Sequence, residues 1–281
     1  MSEKSVVLCA DDFGLAEGVS RGILELAHRG RLSATSAMTS CPAFPRMAPG
    51  LEDLGEHIAV GLHLNLTAGA PLGPMPAFAP GGRFPAGREV VRRAFRGRLP
   101  LEEIAGEIER QLDAFEQALG RPPAFADGHN HVHVLPGVRA ALMRAVARRA
   151  PGAWVRDPAD RLGAILRRGL SVRKALMVRG FALGFGAAAR RHGLDTNEGF
   201  SGFSPFDQTS EEDAHRLFDA TLTALGPKPL VMCHPGYPDD ALRALDTVVG
   251  TRAVELAYLG SGRFGELLEE RKVELVARPP P

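Results

Sequence analysis

Five short apolar runs, each closed by polar residues and followed by a segment with helical spacing, constrain the fold of this chain more than any other feature: Val6 to Ala10, Ile58 to Leu66, Phe125 to Val134, Ala153 to Val155 and Leu230 to Cys233. Runs that are mostly apolar mean strands covered on both faces, and strands that alternate with helices mean parallel strands joined by crossovers. The clearest helix is Leu101 to Leu119, where Leu101, Ile104, Ile108, Leu112, Phe115 and Leu119 form one stripe. Glu17 to Arg29 carries the same spacing through Val19, Ile23, Leu26 and Ala27. A helix and a short strand are expected in the closing GluArgLysValGluLeuVal, with ProProPro as a loose tail.

The 281 residues are read as a single α/β unit over 1–281, a length that also admits two smaller units. Two segments depart from the rhythm. Residues of about 71–100 are rich in Pro, Gly and Arg and read as an inserted loop or lid. Residues of about 161–194 carry eight Arg or Lys and no Asp or Glu, mixed with Ile165, Leu166, Leu176, Met177, Val178 and Phe181. That segment reads as a solvated basic helical face or as a surface for an anionic or membrane-associated partner. Over the whole chain 34 basic residues balance 33 acidic ones, which argues against a nucleic-acid partner. No secretory pattern and no run of the ~20 apolar residues needed for a membrane span is present, so a soluble, cytoplasmic protein is expected. Cys9, Cys41 and Cys233 lack paired spacing, so buried free thiols are expected rather than disulfides or a thiolate metal site.

Chemistry gathers where the runs end. Asp11 and Asp12 follow the first; one Asp would serve as a helix cap, and a second like charge beside it calls for a cation or an acid/base role. His63, Asn65 and Thr67 alternate with leucines and, on a strand, would share a face. His129, His131 and His133 also fall at period two, and Asp127 precedes them. Imidazole is the commonest metal ligand, so a mixed donor set is expected from Asp11 or Asp12, His63, and at least one of the three later histidines. Such donors suit Zn, Co, Ni, Fe or Mn better than Mg. Arg156 ends the fourth run, where it would orient a carboxylate or make an ordinary surface ion pair. His234 ends the fifth, as a proton donor or as a turn histidine fixed by Pro235 and Gly236.

AlaAspAspPheGly, GlyLeuHisLeuAsnLeuThr, AspGlyHisAsnHisValHis and CysHisProGly, in this order from Val6 to about Leu259, resemble the YdjC-like family, which includes chito-oligosaccharide and hopanoid-associated deacetylases. The resemblance implies an irregular (β/α) barrel related to the polysaccharide deacetylases. It also implies metal-dependent hydrolysis of the N-acetyl group of an N-acetylglucosamine-containing saccharide or glycolipid. Asp12, His63 and His129 are then the ligands of one divalent ion, with Zn expected ahead of Mg, Co, Ni or Mn. Asp11 is the general base, Arg156 its orienting partner, and His234 the general acid, with His131 or His133 as the other possible donors. The partners expected are the acetylated substrate, a membrane surface at the periphery and a second copy in a homodimer. Another single-metal hydrolase such as a phosphoesterase, or a sugar-binding barrel without turnover, is the competing expectation.

Overall fold

The computed structural model describes residues 4–280, so Met1 to Glu3 of the opening, on which the absence of a secretory pattern partly rests, and the last proline of the tail lie outside the described residues. Among the described residues there are nine strands: β1 (Lys4–Phe13), β2 (Ala34–Ala37), β3 (Ala59–Leu64), β4 (Phe125–Gly128), β5 (Trp154–Val155), β6 (Asp195–Thr196), β7 (Phe200–Ser201), β8 (Leu230–Cys233) and β9 (Val273–Leu275). Their order is β6-β5-β4-β3-β2-β1-β8-β7, with β9 added on β1, and every pairing between them is parallel. The strands at the two ends, β6 and β7, are separated in the chain only by residues 197–199. Even fully extended, that link reaches no more than roughly 14 Å. The sheet must therefore curl until its edges nearly meet, which gives the irregular α/β barrel.

Period-two alternation divides β1 to β5 and β8 between two cores. On β1, Val6, Leu8 and Ala10 join the larger cluster built with the surrounding helices. Val7 and Cys9 join Ala34, Ala59, Phe125, Trp154, Phe200, Leu230 and Met232 in a second cluster inside the barrel. Phe125 and Trp154 stack there with centroids 4.3 Å apart. Ile165, Ala175 and Val178, from helices Leu162–Arg168 and Val172–Phe181, pack against this inner cluster and close it.

Several expectations need correction. The second run stops being a strand at Leu64, and the third stops at Gly128. His129–Val134 is a tight 3-10 segment with Asn130 and His131 at φ 54° and 56°, so the three histidines do not share a strand face. β2, AlaThrSerAla, is fully buried, yet its small residues give no apolar run to read. The segment 71–100 is anchored rather than loose. It contains the helix Gly87–Phe95 and buries Met75, Phe78 and Phe84. Glu103 accepts the backbone N–H groups of Ala77 and Phe78 (2.9 and 2.8 Å), and Glu107 accepts that of Leu72 (3.0 Å). The helix Leu101–Leu119 and the strands β8 and β9 lie where the sequence places them.

Gly61 sits on the inner face of β3, between Ala59 and His63, and a Cβ there would lie 2.5 Å from the Phe125 ring. Gly61→Ala is expected to push Phe125 off Trp154 and destabilise the fold by about 1–3 kcal/mol, read as a lower urea midpoint with unchanged slope.

Candidate active site at the carboxyl edge of the barrel

On β1 to β5 and β8 the inner face is apolar until the strand's end, where it becomes polar. Val7 and Cys9 lead to Asp11, Ala34 to Ser36, Ala59 and Gly61 to His63, Phe125 to Asp127, Trp154 to Arg156, and Leu230 and Met232 to His234. One layer of polar groups thus stands on the inner core at the carboxyl edge, where parallel barrels collect their chemistry. His63 and Asp127 are register partners on adjacent strands.

Asp12 reaches the same cavity by a different device. On a regular strand it would point away from Asp11. Instead it adopts φ 73°, and the pairing of β1 with β2 shifts register between Ala10 and Phe13. This bulge turns the second carboxylate inward, and such left-handed non-glycine geometry is retained where the surroundings enforce it. Neither Asp caps the following helix, which starts after Ala16 with no side-chain cap.

Arg156 organises the floor. It is fully buried and grips Asp11 in a two-pronged pair, Nη1 to Oδ2 and Nη2 to Oδ1, both 2.7 Å. Nη2 also lies 2.5 Å from Asp127 Oδ2, a close ionic contact without hydrogen-bond alignment, and donates to Cys9 Sγ at 3.0 Å. Burial penalises the Asp11 carboxylate, but the guanidinium overcomes this and holds its pKa well below the ordinary range. Nε2 of His133 donates to the Arg156 carbonyl (2.9 Å), so His133 braces the arginine from behind rather than facing the cavity.

Around Asp12 the donors converge. His63 Nδ1 donates to Asp127 Oδ1 (2.6 Å) and lies 3.0 Å from Ser36 Oγ, which leaves Nε2 facing Asp12 Oδ1 at 3.3 Å. His129 is arranged alike, with Nδ1 2.7 Å from the Thr67 hydroxyl and Nε2 3.9 Å from the same Oδ1. The other Asp12 oxygen accepts from Arg252 Nη2 (2.6 Å), which also meets Asp246 (2.7 Å). Oδ1 is buried without a hydrogen-bond partner. Burial would lower the His63 pKa, but Asp127 and Asp12 raise it to about 10.

This arrangement fits a cation. Two imidazoles with their Nδ1 atoms tied back present Nε2 to an unpartnered carboxylate oxygen, the pattern in which outer hydrogen bonds orient metal ligands. The four carboxylates of Asp11, Asp12, Asp127 and Asp246 outnumber the two guanidiniums of Arg156 and Arg252 and the one ammonium, Lys174, that lines the same cavity, so one negative charge remains before any histidine takes up a proton. Cys9, Asp11 and Asp127 also bring donor atoms within 4.8 Å of one another, but Arg156 Nη2 fills the space between them.

The cavity above measures about 580 Å³, the size of a small-ligand site, and Asp11, Asp12, His63, His129, His131 and His234 all line it. His131 stands edge-on to Phe200 and Phe203, and burial pushes its pKa well below the usual value. His234 is half-buried, with its Nδ1 out of solvent and unpartnered, and desolvation of the ring lowers its pKa to about 4. Its backbone N–H donates to the buried Glu255 (2.7 Å).

The structure therefore brings together all six sequence-derived site residues: Asp11, Asp12, His63, His129, Arg156 and His234. Thr67 joins them through His129. Asn65 does not; beyond Leu64 the strand has ended, and its side chain donates to Ser40 and the Ala68 carbonyl. Missing from the sequence reading are Ser36, Arg252, Asp246 and the supporting role of Asp127. Asp127 was recoverable from its period-two relation to Phe125. Arg252, on helix Gly250–Leu259, gives no local cue because its partners lie 240 and 6 residues away.

Parallel β/α barrel architecture with a carboxylate and imidazole pocket at its carboxyl edge is the class this geometry defines. The profile of the YdjC-like protein family matches residues 5–270, and the chain belongs to that family. It is 29% identical over 278 residues to a chitooligosaccharide deacetylase of Enterobacter sp. (strain 638), with 97% of each chain covered. It is 32% identical over 246 residues to one of Klebsiella pneumoniae (strain 342), covering 85% of this chain and 84% of that one. Among solved structures, a candidate cellobiose-phosphate cleavage protein of Enterococcus faecalis V583 superposes with a TM-score of 0.74 at 23% identity, over 98% and 97% of the two chains. The Bc1960 peptidoglycan N-acetylglucosamine deacetylase gives a TM-score of 0.50 at 11% identity, over 98% and 86%. These two likenesses establish the shared polysaccharide-deacetylase type of barrel.

Burial raises the Glu255 pKa from 4.5 to about 7. The folded state keeps this proton between those values while the unfolded chain has lost it, so stability falls as pH rises through that window, by on the order of 3 kcal/mol. Glu255→Gln keeps an acceptor for His234 and should flatten that limb. Denaturant melts at pH 4.5 and pH 8 check this: the variant should gain on the parent only at the higher pH.

Proposed function

We propose that this protein is a metal-dependent carbohydrate N-deacetylase that hydrolyses the acetamide of an N-acetylglucosamine-containing saccharide or glycolipid to a free amine and acetate, with residues 1–281 acting as one catalytic unit. The observation that carries this reading is the adjacency of two differently prepared carboxylates. Asp11 is locked in a guanidinium pair, and Asp12 presents a bare oxygen to two tied-back imidazoles. The chitooligosaccharide deacetylases among its relatives support the substrate class.

Asp12, His63 and His129 would hold one divalent ion, with Zn ahead of Co, Ni, Mn or Mg; when bound, such an ion polarises the acetyl carbonyl and activates water. Asp11 accepts the proton that water gives up. Arg156 keeps both Asp11 oxygens ionised and aimed, and Ser36, 3.4 Å from Oδ1, helps fix them. His234 faces the same cavity and delivers a proton to the departing nitrogen. With its pKa lowered to about 4 it is neutral at rest, so the proton it delivers is one it first takes up from solvent as negative charge develops on the acetamide oxygen, and the C–N bond breaks as that proton reaches the amine nitrogen. A phosphoesterase with two bridged metals is disfavoured because Arg156 occupies the other cluster of donors.

Acetate release from diacetylchitobiose and from an N-acetylglucosaminyl lipid, on chelator-stripped protein given single metals, tests the reading. One metal should restore turnover with about one ion per chain, and phosphomonoester cleavage with no acetate would overturn the assignment. Asp11→Asn should lower kcat by about 10²–10⁴-fold while metal content by mass spectrometry stays unchanged. Thr67→Val should instead weaken metal affinity by roughly 10–100-fold, because it frees the His129 ring. Loss of turnover at undiminished metal affinity would remove His129 from the ligand set.

A further inference from the structure

The rim of the cavity is unlike the rest of the surface. Helices Gly87–Phe95 and Val172–Phe181 form its outer wall, contributing Arg88 and Val91 from the first and Lys174, Met177, Val178 and Phe181 from the second. The second helix is apolar on two sides. Ala175 and Val178 face the inner core, while Leu176 and Met177 point outward at 37% and 52% exposure. Phe95, at the end of the first helix and 54% exposed, packs on Phe181 with centroids 5.1 Å apart. An apolar strip thus runs without a break from inside the cavity, through Phe181, to the outer surface at Phe95. Six of the eight large hydrophobic residues exposed among the described residues, Phe95, Leu162, Leu166, Leu176, Met177 and Leu183, belong to the Gly87–Phe95 helix or the 161–194 segment.

Charge on this rim has one sign. Residues 87–98 hold five arginines and one acid, Glu89, which is already closed upon by Arg92 and Arg93. Arg88, Arg96, Arg98 and Arg173 are exposed and have no carboxylate partner among the described residues. The 161–194 segment adds no acid of its own. Unpaired cations beside outward-facing Phe, Leu and Met match an anionic lipid interface, which takes the apolar groups into its acyl boundary and the guanidiniums among its headgroups. No helix among the described residues is long and apolar enough to cross a membrane, so the contact is peripheral.

We propose that this rim, centred on Phe95, Leu176 and Met177 and ringed by Arg88, Arg96, Arg98 and Arg173, docks on the surface of an anionic lipid bilayer and turns the cavity mouth toward it. The inference does not require the deacetylase reading, since docking needs no turnover, and the two fail independently.

Vesicle co-sedimentation of the full-length protein tests it, with phosphatidylcholine alone and with phosphatidylcholine mixed with phosphatidylglycerol, at low and high salt. Binding should be confined to the anionic vesicles and weaken as salt rises. Arg96→Glu/Arg173→Glu should reduce it by about ten-fold or more, given roughly a five-fold contribution from each basic residue near the surface. Phe95→Ser/Leu176→Ser should reduce it comparably without changing its salt dependence. Circular dichroism and chemical melts of the variants confirm that they remain folded. Absence of binding to anionic vesicles, or equal binding to both kinds, overturns the proposal. So does a dimer in sedimentation velocity that the Phe95→Ser/Leu176→Ser variant dissociates, because a second copy would then cover the rim.

Discussion

Everything at the carboxyl edge depends on placing a guanidinium inside the barrel. Arg156 is fully buried, and removing such a charge from water is costly unless carboxylates meet it at close range. Asp11 supplies both its oxygens and Asp127 a third, and each belongs to a different strand. The pair therefore does more than neutralise charge. It fastens β1 to β4 and β5 across the barrel, sets the angle of Asp11, and through Asp127 fixes which nitrogen of His63 remains free.

Arg252 plays the matching part on the other side. By holding one oxygen of Asp12 together with Asp246, it leaves a single oxygen directed toward His63 and His129. Two arginines thus prepare two adjacent carboxylates for different work. The bulge at Asp12 is the geometric condition for this, because without it the pleat would send Asp12 to the outer face, among the helices. The high proton affinity of His63 reports the same excess of negative charge that a cation would neutralise.

Much of this could be read in the linear chain. Strand ends at Asp11, His63, Arg156 and His234 were recognisable because an apolar run stops at a polar residue, and parallel folds collect ligands at that edge. The reading failed where backbone conformation changes character. Treating 125–134 as a continuous strand put His129, His131 and His133 on one face, whereas left-handed Asn130 and His131 send His129 to Asp12, His131 against Phe200 and Phe203, and His133 behind Arg156. Asn65 misled for the same reason, one residue past the end of β3. Segment 71–100 looked loose because its Pro and Gly content hides the buried Phe78 and Phe84 and the two glutamates that pin its backbone.

What the sequence determined by itself is the period of each element and the residue type at each strand end, since hydrophobic spacing and side-chain chemistry are local properties. It therefore specified a parallel α/β fold and a store of carboxylates, imidazoles and an arginine for one edge. Only the tertiary structure decided which of them meet. Closure of the sheet through the three residues between β6 and β7, the bulge at Asp12 and the arrival of Arg252 from a helix near the end of the chain depend on contacts between distant residues. Buried charges must find partners in space wherever the chain supplies them, and no local pattern records where that will be.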